Sequence, residues 1–202
     1  MRGFLHEARG RATALVLTHG AGGNCNAPLL VALAEELSRA GVTVLRCDLP
    51  FRQSRPRGGP SAGSAHKDQQ GLRRAVMLLK ERGATHCFLG GQSYGGRQAS
   101  MLAASEPELV DGLLLLSYPL HPPGRAAQLR TAHFPKLQTR ALFVHGTKDP
   151  FGTIDELEAA LPLIPAETRL VPIEGAGHGL KNAAAVVERI AAEFGTFFGA
   201  AG

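Results

Sequence analysis

Three side chains in this sequence have the types and surroundings needed for attack on a carbonyl carbon: Ser93, Asp149 and His178. Ser93 lies in Gly91-Gln92-Ser93-Tyr94-Gly95, a G-x-S-x-G pentapeptide placed between an apolar run and a helical stretch. A sharp strand-to-helix turn strains the serine backbone and leaves no room for side chains two positions to either side, which glycine at 91 and 95 answers. A serine hydroxyl is a weak nucleophile and needs a base, and the base needs a group that orients it. Asp149 in His145-Gly146-Thr147-Lys148-Asp149-Pro150 and His178 in Glu174-Gly175-Ala176-Gly177-His178-Gly179 each follow a later apolar run. The order Ser, Asp, His along the chain suits a nucleophile, an orienter and a general base carried on successive strand ends. Read apart, Asp149 also suits turn chemistry before Pro150, and His178 an ordinary loop histidine. A second G-x-S-x-G, Gly59-Pro60-Ser61-Ala62-Gly63, has no strand before it and no helix directly after it, and reads as loop.

An oxyanion formed by that attack needs donors. The glycine-rich segment Thr18-His19-Gly20-Ala21-Gly22-Gly23-Asn24 supplies a loop whose backbone a substrate can approach. The amides of Ala21 and Tyr94, the residue after the serine, are the expected donors. His19 reads as a brace for its own loop. Gly22, Arg52 and His121 are the candidate substrate contacts: Gly22 from the glycine-rich loop, Arg52 as a binder of anionic acids, His121 at the mouth of the site. His121 and His133 form no ligand pattern, and Cys25, Cys47 and Cys87 lack metal-site spacing, so neither a metal nor an organic cofactor is expected.

Positioning these groups requires strand ends that share one edge. Short apolar runs without polar alternation occur at Thr13–Thr18, Val42–Cys47, Thr85–Leu89, Gly112–Ser117, Ala141–His145 and Arg169–Ile173, the pattern of strands buried on both faces. Between them, helical periodicity covers Pro28–Ala40, His66–Arg82, Gly95–Ser105, Thr153–Ala160 and Asn182–Phe198. The alternation predicts an α/β fold: a mostly parallel central sheet of about six or seven strands with helices on both faces. Two long connections, Leu49–Ala65 and Tyr118–Thr139, leave the carboxyl edge where such sheets bind ligands, and neither is long enough for a lid domain.

The chain of 202 residues, 44% hydrophobic and 19% charged, suits one domain over 1–202 rather than a disordered chain or a membrane span. No secretory leader is read at Met1–Glu7, and three cysteines without a close pair imply a reducing, cytoplasmic setting. Lys+Arg 22 against Asp+Glu 17 gives a net charge of +5, which raises nucleic acid as a partner. The basic run Arg46, Arg52, Arg55 and Arg57 has no interleaved aromatic residues to stack bases, so neither nucleic acid nor membrane is an expected partner. The expected partner is a small ester or thioester, and the expected state a monomer or homodimer.

The segments His19–Gly23, Gly91–Gly95 and those around Asp149 and His178 together resemble the α/β-hydrolase superfamily, over essentially the whole chain. The likeness is to small lidless members near the dienelactone hydrolase-like group. Asp48-Leu49-Pro50-Phe51-Arg52 and Tyr118-Pro119-Leu120-His121-Pro122-Pro123 resemble a bacterial branch of predicted hydrolases, a branch also similar to a mammalian chromatin-complex subunit. Two departures matter. Ser93 stands where dienelactone hydrolase has cysteine, so that substrate is not implied, and the leading strands shrink to the weak segment Met1–Glu7. The residues and the resemblance together imply a serine esterase or thioesterase working through an acyl-enzyme. An amidase or peptidase, and a catalytically silent interaction module on the same fold, are the alternatives.

Overall fold

The computed structural model describes residues 2–10, 12–61, 63–180 and 184–199. Seven strands form one sheet: β1 (Gly3–His6), β2 (Thr13–Thr18), β3 (Thr43–Cys47), β4 (His86–Gln92), β5 (Gly112–Leu116), β6 (Ala141–Gly146) and β7 (Thr168–Ile173). Their spatial order is β1-β3-β2-β4-β5-β6-β7. Only β1 runs antiparallel, against β3; every other neighbour pair is parallel. The weak amino-terminal segment thus becomes an edge strand, and Phe4 on it lies under the Arg46 guanidinium, 5.0 Å from ring centroid to Cζ.

Among the described residues the α-helices are α1 (Pro28–Arg39), α2 (Pro50–Ser54), α3 (Ser64–Glu81), α4 (Tyr94–Ser105), α5 (Ile154–Ala160) and α6 (Ala184–Phe198). Residues 182 and 183 of the last expected helix lie outside the described residues. The unbroken apolar strands explain the layering. In β5, Leu113 and Leu115 face the side covered by α3, α4 and α5, while Leu114 and Leu116 face the side covered by α1 and α6. In β3, β5 and β6 each residue is buried whichever way it points, so polar alternation has no place in the pattern.

Helix α2 was expected as loop. Pro50 at its first turn has the backbone angle a helix needs, and Gly71 of α3 lets it dock. A Cβ on Gly71 would lie 2.6 Å from the Pro50 ring. Strand β4 runs three residues past the expected end at Leu89 because its glycines are paired rather than breaking. Gly90 and Gly91 lie in register with Leu114 and Leu115, and a Cβ on Gly90 would meet the Leu114 carbonyl at 2.6 Å.

On the α6 side, Phe88 of β4 meets Phe194 and Phe198 with ring centroids 5.1 and 4.8 Å apart, and Phe194 is fully buried. Replacing Phe194 by alanine removes a ring that neighbours cannot collapse to fill. Phe194→Ala is expected to destabilise the fold by about 3–5 kcal/mol, read as a fall of the calorimetric Tm by roughly 6–20 °C.

Candidate active site

Ser93 stands between the end of β4 and the first turn of α4 with φ 51° and ψ −116°, in the region that disfavours side chains. The surrounding bonds hold it there. Its N–H donates to the Leu116 carbonyl at 2.8 Å, and its carbonyl accepts from the Arg97 amide at 2.9 Å. The neighbouring glycines leave space that side chains would fill. A Cβ on Gly95 would sit 2.5 Å from the His19 carbonyl, and one on Gly91 would sit 2.9 Å from the backbone of Gly95. The turn, the strand beneath it and the β2 loop are therefore packed backbone to backbone.

The sheet brings the three residues expected from the sequence together. The Ser93 hydroxyl lies 2.8 Å from His178 Nε2, and His178 Nδ1 lies 2.8 and 3.0 Å from the two Asp149 carboxylate oxygens. Asp149 is buried and also accepts from the Phe151 amide at 2.9 Å. The carboxylate thereby favours the tautomer with hydrogen on Nδ1, which leaves Nε2 free to accept from the serine hydroxyl.

Asp149 and His178 are held in register by their own loops. The Thr147 amide donates to Ile173 O at 3.1 Å, the Lys148 amide to Ala176 O at 2.9 Å, and the Gly175 amide to Thr147 Oγ1 at 2.9 Å. These bonds join the turn after β6 to the turn after β7. Gly146 is where they touch, since a Cβ there would lie 2.3 Å from the Ala176 carbonyl. Phe151 stacks on the imidazole of His178, centroids 4.1 Å apart at 26°, and Gln92 Nε2 donates to the His178 carbonyl at 3.3 Å. His145 donates from Nε2 to Gly152 O at 2.8 Å, and burial lowers its pKa, so it stays a neutral prop beside Asp149.

The glycine-rich loop after β2 is rigid for a similar reason. The Gly20 carbonyl accepts from His19 Nδ1 at 2.8 Å and from the Gly23 amide at 3.1 Å. In a trans peptide the N–H points opposite to the carbonyl, so fixing Gly20 O aims the Ala21 N–H the other way. Neither the Ala21 nor the Tyr94 amide has a hydrogen-bond partner among the described residues. His19 Nε2 accepts from the Leu49 amide at 3.1 Å, and burial lowers the pKa of this fully buried ring. It braces its loop, as the sequence suggested.

Arg52 does something other than meet substrate. It is buried, and its guanidinium donates to four carbonyls: Gly23 at 2.7 Å, Ala21 and Gly58 at 2.8 Å, and Arg55 at 3.2 Å. With every arm engaged by backbone, it ties the loop after β2 to the loop after α2. His121 is also spent structurally. It is buried, its Nδ1 donates to Pro122 O at 2.8 Å, and its Nε2 lies 3.2 Å from a Glu156 carboxylate oxygen in the capping box of α5. Gly22 is exposed and lies outside the cavity at Ser93. Ser61 of the second G-x-S-x-G sits in exposed loop, its hydroxyl 3.0 Å from that of Ser64, and Ala62 lies outside the described residues.

A cavity of about 380 Å³ opens at Ser93, bounded by Ala21, Tyr94, Phe151, Arg97 and Arg130. A second cavity of about 380 Å³ lies behind the 50–64 segment, near Phe51 and Lys67, and includes none of the three converging side chains. Asp68, which sequence reasoning passed over, lines the second cavity and reaches the first through Tyr94. Fully buried, it accepts from the Phe51 amide at 3.0 Å and from the Tyr94 hydroxyl at 2.8 Å. A charged residue in phase with the buried stripe Leu72, Ala75, Val76 and Leu79 of α3 was the available signal.

The fold has counterparts among known proteins. A family model described as an alpha/beta hydrolase domain matches residues 11–191. The chain belongs to the α/β-hydrolase family. Among solved structures, it is similar to Est1E from Butyrivibrio proteoclasticus with ferulic acid bound, at TM-score 0.79 and 21% identity over 98% of this chain and 95% of that one. Dienelactone hydrolase from Anabaena variabilis matches at TM-score 0.77 and 24% identity, over 97% and 91% of the two chains. An alpha-beta serine hydrolase homologue from Coxiella burnetii matches at TM-score 0.76 and 16% identity, over 95% and 90%. The α/β-hydrolase membership and the mostly parallel sheet expected from the sequence both hold. No helix of the described residues is long and apolar enough to cross a membrane.

The buried fork of Arg52 yields a stability test. Arg52→Met leaves the Ala21, Gly23 and Gly58 carbonyls without their donor, an expected loss of about 2–5 kcal/mol by urea unfolding. Arg52→Lys is expected to recover less than half of it, because one ammonium cannot span the carbonyls a planar fork reaches.

Proposed function

We propose that the protein is a serine hydrolase that cleaves a carboxylic ester or thioester of a small substrate through an acyl-enzyme. The reading rests on one observation: the unbroken hydrogen-bonded line from Ser93 Oγ through the His178 ring to the Asp149 carboxylate. His178 Nε2 takes the Ser93 proton as Oγ bonds to the carbonyl carbon. Asp149 keeps the ring oriented and balances its transient positive charge. The negative charge gathering on the carbonyl oxygen falls to the Ala21 and Tyr94 amides, each such donor carrying roughly 10²–10³ in rate at comparable sites.

Collapse of the tetrahedral species breaks the bond to the alcohol or thiol, which leaves with the proton from Nε2. The acyl group is then an ester of Ser93. Water gives its proton to Nε2 and attacks the same carbon, and the acid departs as Ser93 regains its hydrogen. Ester and water go in; acid and alcohol come out. Every proton is accounted for by the imidazole alone, so no cofactor enters the scheme. Phe151 stacked on His178 limits the ring's swing between its two proton-transfer positions.

Hydrolysis of p-nitrophenyl acetate tests the reading. Ser93→Ala is expected to bring the rate to the uncatalysed background with an unchanged circular dichroism spectrum. Asp149→Asn, which favours the wrong imidazole tautomer, is expected to lower kcat by about 10³–10⁴-fold. A Ser93→Ala protein that keeps its rate would remove the assignment.

A further inference from the structure

We propose that the substrate of this site carries, besides its ester or thioester, a free anionic group, a carboxylate or phosphate, seated between Arg97 and Arg130. The proposal rests on the hydrolase reading above and goes on to its substrate class. Both arginines bound the cavity that opens at Ser93, and no Asp or Glu shares that lining. Arg97 is one helical turn past the nucleophile, its amide bonded to the Ser93 carbonyl at 2.9 Å, and Arg130 comes from the long connection after β5.

What sets these two apart is that they are half-buried as well as unpaired: Arg9, Arg55, Arg57, Arg74, Arg125 and Arg189 also lack an ion pair among the described residues, but they are exposed. Arg2, Arg39, Arg73, Arg82, Arg140 and Arg169 each meet a carboxylate. Arg52 is saturated by carbonyls, and Arg46 is held by the Cys25 carbonyl, His6 Nε2 and the Phe4 ring. Arg97 and Arg130 have no ion pair among the described residues. Arg97 Nε is buried with no hydrogen-bond partner, and Arg130 reaches only the Pro119 carbonyl, at a long 3.4 Å.

Their surroundings add to the imbalance. Burial, followed by the charge of Arg97, lowers the pKa of Arg130. The same two influences hold His133, whose Nε2 is 2.8 Å from Ser100 Oγ, down at about 4. Asp68, the buried carboxylate behind Tyr94, is occupied by the Tyr94 hydroxyl and the Phe51 amide. Asp149 is occupied by His178 and the Phe151 amide. Two half-buried like charges with unused donors are costly to hold together unless an anion joins them. Guanidinium forks match carboxylate and phosphate oxygens in pairs, where a neutral group would leave the buried donors unanswered.

The backbones behind both side chains are pinned. The Tyr118 hydroxyl donates to Arg130 O at 2.7 Å, and the Ser100 hydroxyl to Arg97 O at 3.0 Å. An anion bound there lies within one small cavity of the serine, so it fixes which ester bond meets Oγ. Arg52, the arginine the sequence pointed to for this task, is already engaged, and the role passes to residues one helical turn and one strand connection away.

Two matched ester pairs test the proposal: p-nitrophenyl butyrate against mono-p-nitrophenyl succinate, and phenyl acetate against 4-carboxyphenyl acetate. The first places the acid on the acyl side and the second on the alcohol side. The expected result is a kcat/KM ratio of acidic to neutral ester above about 10 in one pair, lowered at least tenfold by Arg97→Gln and by Arg130→Gln. Raising NaCl from about 0.05 to about 0.5 M should lower the same ratio in the unaltered protein, which covers the case of a variant that fails to fold. Calorimetric titration of glutarate and of inorganic phosphate into the unaltered protein gives a readout without turnover. Binding of either, weakened at least tenfold in Arg130→Gln, supports the proposal, and the tighter ligand names the group. Ratios untouched by both substitutions and by salt, with neither anion binding, overturn it. Serine-dependent hydrolysis of the neutral esters then still upholds the hydrolase reading, whereas no hydrolysis of any ester removes that reading and leaves the anion titration to decide this one.

Discussion

The site depends on one steric constraint: the chain must reverse from β4 into α4 within a space too small for side chains. Ser93 pays for that reversal with a positive φ, and its geometry is over-determined by the Leu116 carbonyl in front and the Arg97 amide behind. Because Gly91 and Gly95 bring the turn against Thr18 and His19, the hydroxyl and the glycine-rich loop after β2 share one set of backbone contacts. Moving one moves the other. Parallel neighbours then deliver Asp149 and His178 from β6 and β7 at the same carboxyl edge.

Around this turn the protein places polar groups where they stiffen loops rather than meet solvent. Arg52 gathers carbonyls from two loops, His19 links its own loop to Leu49, and Asp68 joins α3 to Tyr94. Each of these side chains is buried and bonded, so the cost of burial is offset by bonds that hold backbone amides in place. The basic run that suggests nucleic acid on paper dissolves in space. Arg46 and Arg52 point inward, and Arg55 and Arg57 stand exposed on a connecting loop. The charge that matters near the serine comes instead from Arg97 and Arg130, which are not neighbours in sequence.

Most of the framework is legible from residue order because strands buried on both faces leave unbroken apolar runs. The three chemical groups are legible because each follows such a run. The misreadings share a cause. Gly90 and Gly91 lie past the strand end expected at Leu89, yet they are ladder residues whose missing side chains admit Leu114 and Gly95. Pro50 reads as loop, although proline in a first turn starts a helix once Gly71 gives it a surface. Arg52 and His121 read as substrate contacts because an arginine or histidine in a long loop is assumed to be solvated, and burial is not written in the residue type. Arg97 carried the opposite signal, one turn beyond the serine on a helix that starts at the site. Arg130 carried none, since only the path of the connection after β5 brings it there.

Labelling with a fluorophosphonate probe, followed by peptide mass spectrometry, bears most directly on the central claim. A hydroxyl activated by an adjacent imidazole should yield a single adduct at Ser93, formed at least about a hundredfold more slowly in His178→Ala. An adduct at Ser61, or none at any serine of the folded protein, would contradict the account.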